Sequence, residues 1–413
     1  MARFRRPSDR AAGVRADPVI DGSPLAHFQG MVDRCHDHAA AMKRQGRPVV
    51  GIMCEFTPRE VILAAGAVPV CLCGGARETI PAAEACLPAN LCPLIKSTYG
   101  YHVERANPFL EWADLVVAET TCDGKKKMFE LMAETRPMYV LELPQKPDDP
   151  DAPARWLREV RKLRSALEGR FGVRITGAKL RAAIRLMNRE RGLRRELAGL
   201  MSRERPPLMG RQLLEFKSLI SGLEADLDEY ERAARLYGAG AAAPGSPLAR
   251  RDEPPPVRVL MTGVPMVHGA ERVIELVEGQ GAVVVAQENC TGLKPLLEDV
   301  DAEAADPLRA LAEKYLHLPC SVMTANRRRF ESLAALAARF RPECVIELVW
   351  HACLTYDVES FEVRRFVEER LGLPYLKLET DYSPSDSARL TLRVAALFET
   401  VRARARASGP GRP

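Results

Sequence analysis

Six cysteines carry the chemistry this chain advertises: Cys54 in MCEFTPRE, Cys92 in NLCPLIKS, Cys122 in TTCDGKKK, Cys290 in ENCTGLK, Cys320 in LPCSVMT and Cys353 in HACLTYDVE. Each sits just past an apolar run or in a turn flanked by Pro or Gly. Thiolates gathered from such places would form a cage for a metal cluster. Three lie in the first third of the chain and three in the last, so the fold must bring two half-sites together across a domain boundary. None of the six belongs to a CxxC pair, the short spacing by which zinc ribbons and bacterial-type ferredoxins announce themselves. All-thiolate coordination suits an iron–sulfur cluster or zinc, and spacing does not choose between them. The opposing reading is that free Cys is one of the most often buried residue types and acts as a small hydrophobe.

The other five cysteines read differently. Cys71, Cys73 and Cys344 lie inside strand-like runs and are expected in the core. Cys35 stands beside His36 and His38, but neighbouring helix positions point apart, so a solvated face is expected there. Cys86 reads either way. Near the six, Glu55, Asp123, Glu288 and His351 are the groups placed to move protons, each with a helix cap or a solvated loop as its alternative; His351 and Glu55 are the preferred catalytic pair. The lysines of GKKK read as a charged helix start in preference to a phosphate site. TGVPMVHG lacks G-x-G-x-x-G and reads as a connecting loop, and no G-x-x-x-x-G-K-[ST] occurs.

Strands and helices must alternate to position these residues. Val49–Met53, VPVCLC, Asp114–Thr120 and PMYVLEL read as strands separated by helices, one opening at Thr57-Pro58 with Glu60 three residues after the cap. VRVLMTG, AVVVAQE, CVIELV and PYLKLE repeat the pattern, with helices from about Gly269, around 306–315 and 327–340, after Glu359, and near Ser385. The fold class is therefore α/β: two doubly wound, parallel-sheet (Rossmann-like) domains. The boundaries are a tail and lead-in helix at 1–46, a cluster-binding domain at 47–150, a charged helical segment at 151–237, a Gly/Ala/Pro linker at 238–256, a second cluster-binding domain at 257–400, and a flexible tail at 401–413. In open parallel sheets ligands bind beyond the carboxyl ends of the strands. Cys54, Cys122, Cys290 and Cys353 each follow a strand by a few residues and belong on that edge.

Composition narrows the class. With 46% apolar and 28% charged residues and no apolar run of membrane length, the chain reads as a soluble protein. The Arg-rich start lacks a secretory signal's apolar segment, so a cytoplasmic protein with reduced thiols is expected, and eleven cysteines are an odd number for a complete disulfide set. A net charge of +5 with both signs interspersed gives no reason to invoke nucleic acid.

CEFTPREVILAAGAVPV, ANLCPLIKSTYG and DLVVAETTCDGKKKMFELM together resemble the 2-hydroxyacyl-CoA dehydratase and benzoyl-CoA reductase subunit family, over about Arg47 to Glu399, with TTCDGKKK the most specific part. The resemblance implies one [4Fe–4S] cluster on Cys92, Cys122 and Cys353. ENCTG and LPCSVMT are similar to a branch holding a double-cubane [8Fe–9S] cluster on six cysteines, which Cys54, Cys290 and Cys320 would complete. It also implies low-potential electrons from a separate ATP-dependent iron–sulfur activator, a homodimer and reduction of a small molecule. The alternatives are a single-cluster dehydratase (a lyase) or acyl-CoA reductase subunit with a related partner chain, and a non-catalytic zinc or redox-sensing protein.

Overall fold

Eight short strands, nearly all buried on both faces, set the architecture: β1 (Val49–Ile52), β2 (Val68–Cys71), β3 (Leu115–Glu119), β4 (Met138–Leu141), β5 (Val257–Gly263), β6 (Ala282–Glu288), β7 (Cys344–Trp350) and β8 (Tyr375–Thr380). The computed structural model describes residues 22–407; the expected N-terminal tail and the end of the C-terminal one lie outside them. The strands form two all-parallel sheets, in the orders β2-β1-β3-β4 and β6-β5-β7-β8. Val, Ile and Leu dominate because helices cover both faces of a parallel sheet. The two halves thus share one topology without sequence repetition. In each, the order reverses between the first and third strand, opening a crevice at the carboxyl edge.

Helices fill the middle of the chain as expected: Ala152–Phe171, Gly177–Gly199 and Glu224–Gly238. The first buries Trp156, Val160, Leu163 and Leu167 at helical spacing and ends at Gly172, whose left-handed φ of 63° is open to glycine. Thr176 starts the second by accepting a hydrogen bond from the Lys179 amide. The apolar core does not divide at the linker. One cluster unites Val49 and Val116 of the first sheet with Val259 and Ile346 of the second. The segment after β6 crosses back, and Leu308, Leu311, Tyr315 and Cys320 pack with Ile52, Trp156 and Val160 of the first half.

Four local expectations are revised. The helix expected from Thr57-Pro58 runs Arg59–Ala64, and Thr57 does not cap it; the Thr57 hydroxyl donates to buried Glu119, while Glu60 accepts from Arg191 and Tyr315 at 2.9 and 2.8 Å. Residues that spell a capping box are thus spent on longer-range bonds. The helix expected after Glu359 begins at Leu354, directly behind Cys353. The 238–256 linker is irregular, but Ala243 and Ser246 are buried and Pro244 accepts from Gln212. The last helix continues to Ala407, into the expected tail.

The second half is pinned by Arg329, which is fully buried. Its Nε donates to Glu288 at 3.3 Å, its Nη2 to Thr262 and Glu347 at 2.9 and 2.8 Å, and its Nη1 to Glu359. Arg329→Met would leave Glu347 buried without its cation and Glu288 with Lys294 alone, and loss of one partner from such a network costs about 3–5 kcal/mol. The urea midpoint of the variant should fall accordingly, while Arg339→Met, on the same helix but outside this network, should leave it nearly unchanged.

Candidate functional site

Cys92, Cys122 and Cys353 occupy equivalent positions: each immediately precedes a helix, Pro93–Val103, Asp123–Ala133 and Leu354–Arg365 respectively. Helix N-termini expose unpaired amides and partial positive charge, which favour a thiolate. Cys122 lies near enough to the other two to act on both electrostatically. The Cys353 thiol hydrogen-bonds to Cys92, and with the Leu94 and Ile95 amides this holds Cys92 below the ordinary thiol range. The same bond, with burial, pushes Cys353 well up. Burial also raises Cys122; Lys125 opposes it, and Cys353 and Cys320 add to it.

Cys54, Cys290 and Cys320 form a second group. Cys54 follows β1, Cys290 follows β6, and Cys320 ends the crossing segment behind helix Pro307–Leu316. Burial drives Cys54 far above its ordinary value, against Lys125, and Cys290 and Cys320 push the same way. Cys290 is raised to about 12 by burial, with Lys294 opposing and Cys320 adding. Since Cys122 feels Cys320 as well as Cys353, the two trios are neighbours. Each trio draws on both ends of the chain. Among the described residues, no three His, Cys, Asp or Glu side chains close on a point suited to a single metal ion.

A cavity of roughly 160 Å³ lies beside the second trio, with Cys54, Cys290, Glu55 and Lys125 in its wall. Cys71 and Cys73, expected in the core, line it too: Cys71 accepts from Arg59 at 3.6 Å, and Cys73 donates to the Met53 carbonyl at 3.4 Å. Cys344 is buried in the core, as expected. Cys35 is not on a solvated face; it is fully buried and bonded to Ser218 at 3.3 Å. Cys86 is exposed, beside Tyr99 and apart from both trios.

Glu55 pairs with Arg59 at 2.8 Å, and although burial opposes its charge, Arg59 keeps its pKa below the carboxylate range. His351 stands at the surface with Nδ1 3.1 Å from Glu379. Asp123 is exposed on Lys126, and Glu288 is committed to Arg329 and Lys294. Sequence reasoning passed over Lys125. Of the three lysines in GKKK, Lys126 and Lys127 form surface pairs with Asp123 and Glu130, but Lys125 turns inward and donates to the Met53 carbonyl at 3.0 Å. Burial works against its charge, yet Cys54, Cys73, Cys122 and Glu119 hold its pKa well above the ordinary lysine value. The loop read as a mere connection, TGVPMVHG, also reaches the cavity through Pro265, Val267 and His268.

A family profile described as 2-hydroxyglutaryl-CoA dehydratase, D-component, matches residues 54–401. The chain belongs to that family. It is 41% identical over 374 residues to the "Putative dehydratase subunit YjiM" of Escherichia coli K12, covering 87% of this chain and 93% of that one. The (R)-phenyllactyl-CoA dehydratase beta subunit of Clostridium sporogenes is 23% identical over 87% of this chain and 93% of its own. A benzoyl-CoA reductase subunit of Thauera aromatica is 27% identical over 66% and 68%. Family members thus include subunits of both dehydratases and a reductase, and the matched span contains all six loop cysteines.

Glu119, under this site, has its pKa raised to about 7 by burial, with Thr57 and Lys125 opposing. A carboxyl whose folded pKa lies above its unfolded one contributes full stability below the unfolded value and loses it as pH rises through the folded one. Glu119→Gln, a stand-in for the protonated form, should therefore match the parent near pH 5 and exceed it by about 2–3 kcal/mol at pH 8. Thermal unfolding across that range checks the crossover.

Proposed function

We propose that this protein is an iron–sulfur reductase in which Cys54, Cys92, Cys122, Cys290, Cys320 and Cys353 hold a double-cubane [8Fe–9S] cluster between two α/β domains. The observation that carries this reading is the division of the six thiols into two adjacent trios, each assembled from both ends of the chain. The donor set suits the group, since all-thiolate ligation is the iron–sulfur pattern. When bound, the cluster would supply low-potential electrons to a small molecule in the neighbouring cavity. The chain's own contribution is electrostatic and steric. Three helix N-termini and the Lys125 ammonium offset thiolate charge. Met53, Leu94, Met187 and Leu296 supply apolar stretches of the cavity wall. Glu55, held ionised by Arg59, would orient a bound substrate, and His351 would pass protons from solvent near Cys353.

Electrons must come from outside, and an ATP-dependent iron–sulfur activator is the source we assign. We assign a second copy of this chain to a different surface feature. Leu354, Val358 and Phe361 form an exposed apolar stripe on the helix that starts at Cys353. Stripes of this kind mark interaction surfaces, and this helix carries acidic residues toward its start and Arg364 and Arg365 at its end, a pattern that can pair with itself about a twofold axis. Val358→Asp with Phe361→Asp should convert a dimer to a monomer in analytical ultracentrifugation with unchanged circular dichroism.

The relatives' names favour a second reading, a dehydratase subunit; in that reading the family resemblance assigns one [4Fe–4S] cluster to Cys92, Cys122 and Cys353. Iron and sulfide content of anaerobically purified protein separates the two. The double cubane requires about eight irons per chain, falling to about four or fewer in Cys290→Ser or Cys320→Ser. About four irons, unaffected by either substitution, would establish the single-cluster reading instead.

A further inference from the structure

The cavity wall is rich in cations, and nearly every one has a partner. Arg59 pairs with Glu55 at 2.8 Å, Arg191 with Glu60 at 2.9 Å, Arg194 with Glu190 at 3.6 Å and Lys217 with Glu271 at 3.4 Å. Lys125 faces the thiols of Cys54, Cys73 and Cys122. Lys314 is different. It is buried, it lines the cavity, and among the described residues no carboxylate lies within ion-pair distance of it. Its Nζ donates to the Pro295 carbonyl at 3.2 Å and stands 4.4 Å from the centre of the Tyr315 ring. Neither contact neutralises the charge. Next to it in the same wall, the buried Nε of Arg59 has no hydrogen-bond acceptor at all.

A buried lysine without a counter-ion costs stability, and a buried guanidinium N–H without an acceptor adds to that cost. Such residues persist where a ligand supplies what the protein lacks. We propose that Lys314 forms an anion subsite, and that the substrate is a small monocarboxylate whose carboxylate accepts from its ammonium. The inference rests on the reading of this cavity as the substrate chamber. Size and charge agree. A volume of roughly 160 Å³ lies below the ~300–1,000 Å³ of pockets for drug-sized ligands, which suits a small reacting group. Burial, with Arg191 adding and the more distant Glu60 opposing, draws Lys314 down to about 8, the behaviour of an ammonium whose desolvation is not fully repaid.

The test uses the intact, anaerobically purified protein and two planar probes of equal size, acrylate and acrylamide, titrated by calorimetry. Acrylate should bind at least tenfold more tightly than the neutral amide, and Lys314→Met should abolish that preference while leaving amide binding as it was. Lys314→Arg should keep part of it. Without ligand, Lys314→Met should raise the Tm by several degrees, because an apolar side chain replaces an unpaired buried charge; a purely structural lysine would give a fall. Equal binding of the two probes, undiminished acrylate preference in Lys314→Met, or a lowered Tm in that variant would each overturn the subsite. Iron content, measured on the same samples, judges the cluster reading separately: an intact complement without acrylate preference removes the subsite alone, and acrylate preference in protein lacking iron upholds it alone.

Discussion

Arg329 is the constraint on which the second half of the molecule depends. A guanidinium with no exposed surface bonds Thr262 at the end of β5, Glu288 at the end of β6, Glu347 within β7 and Glu359 on the helix behind Cys353. Lys294 and Tyr356 extend the network, with Lys294 3.3 Å from Glu288 and 2.9 Å from the Tyr356 hydroxyl. A buried network of this kind is rigid, since any displacement strands a charge in low dielectric. Cys290 follows Glu288 by two residues and Cys353 precedes the Glu359 helix, so both inherit that rigidity. In the first half, Glu119 bonded to Thr57 ties the end of β3 to the turn after Cys54.

The thiols themselves are held at a cost. Burial raises Cys54, Cys122 and Cys290, and the bond to Cys92 together with burial raises Cys353. Cys92 is the one placed to ionise first, being bonded by Cys353 and two amides. Lys125 touches both trios electrostatically and offsets part of the repulsion that six converging thiolates would create.

Much of this was legible in the sequence, and the losses have a common physical form. Apolar strands alternating with amphipathic helices identify two parallel sheets because local periodicity records burial. The six cysteines were legible because each sits where a strand or turn delivers it to the sheet edge. What could not be read was how polar side chains choose partners far away in sequence. Glu60 and Thr57 spell a helix start, yet both are used across the fold, and Lys125 is indistinguishable from Lys126 and Lys127 until the helix phase is known. Cys35 looked solvated because its neighbours are polar, while the partner that buries it, Ser218, lies 183 residues away. The wall that includes Arg191, Lys314 and Tyr315 likewise comes from helices whose charged composition resembles any surface helix.

The crossing of the chain after β6 has a consequence for how the protein is made. Cys320 is embedded in the apolar core of the first half, although it is synthesised after two strands of the second. Cys353, which meets Cys92, emerges later still. An N-terminal half leaving the ribosome therefore has its own sheet but an incomplete hydrophobic layer and only part of either trio. The trio with Cys54 and Cys290 can close only after residue 320 and the trio with Cys92 and Cys122 only after residue 353, so completion of the pair reports that synthesis has passed residue 353 and that both halves have docked. Assembly of the full six-thiol set is in this way coupled to translation by topology alone.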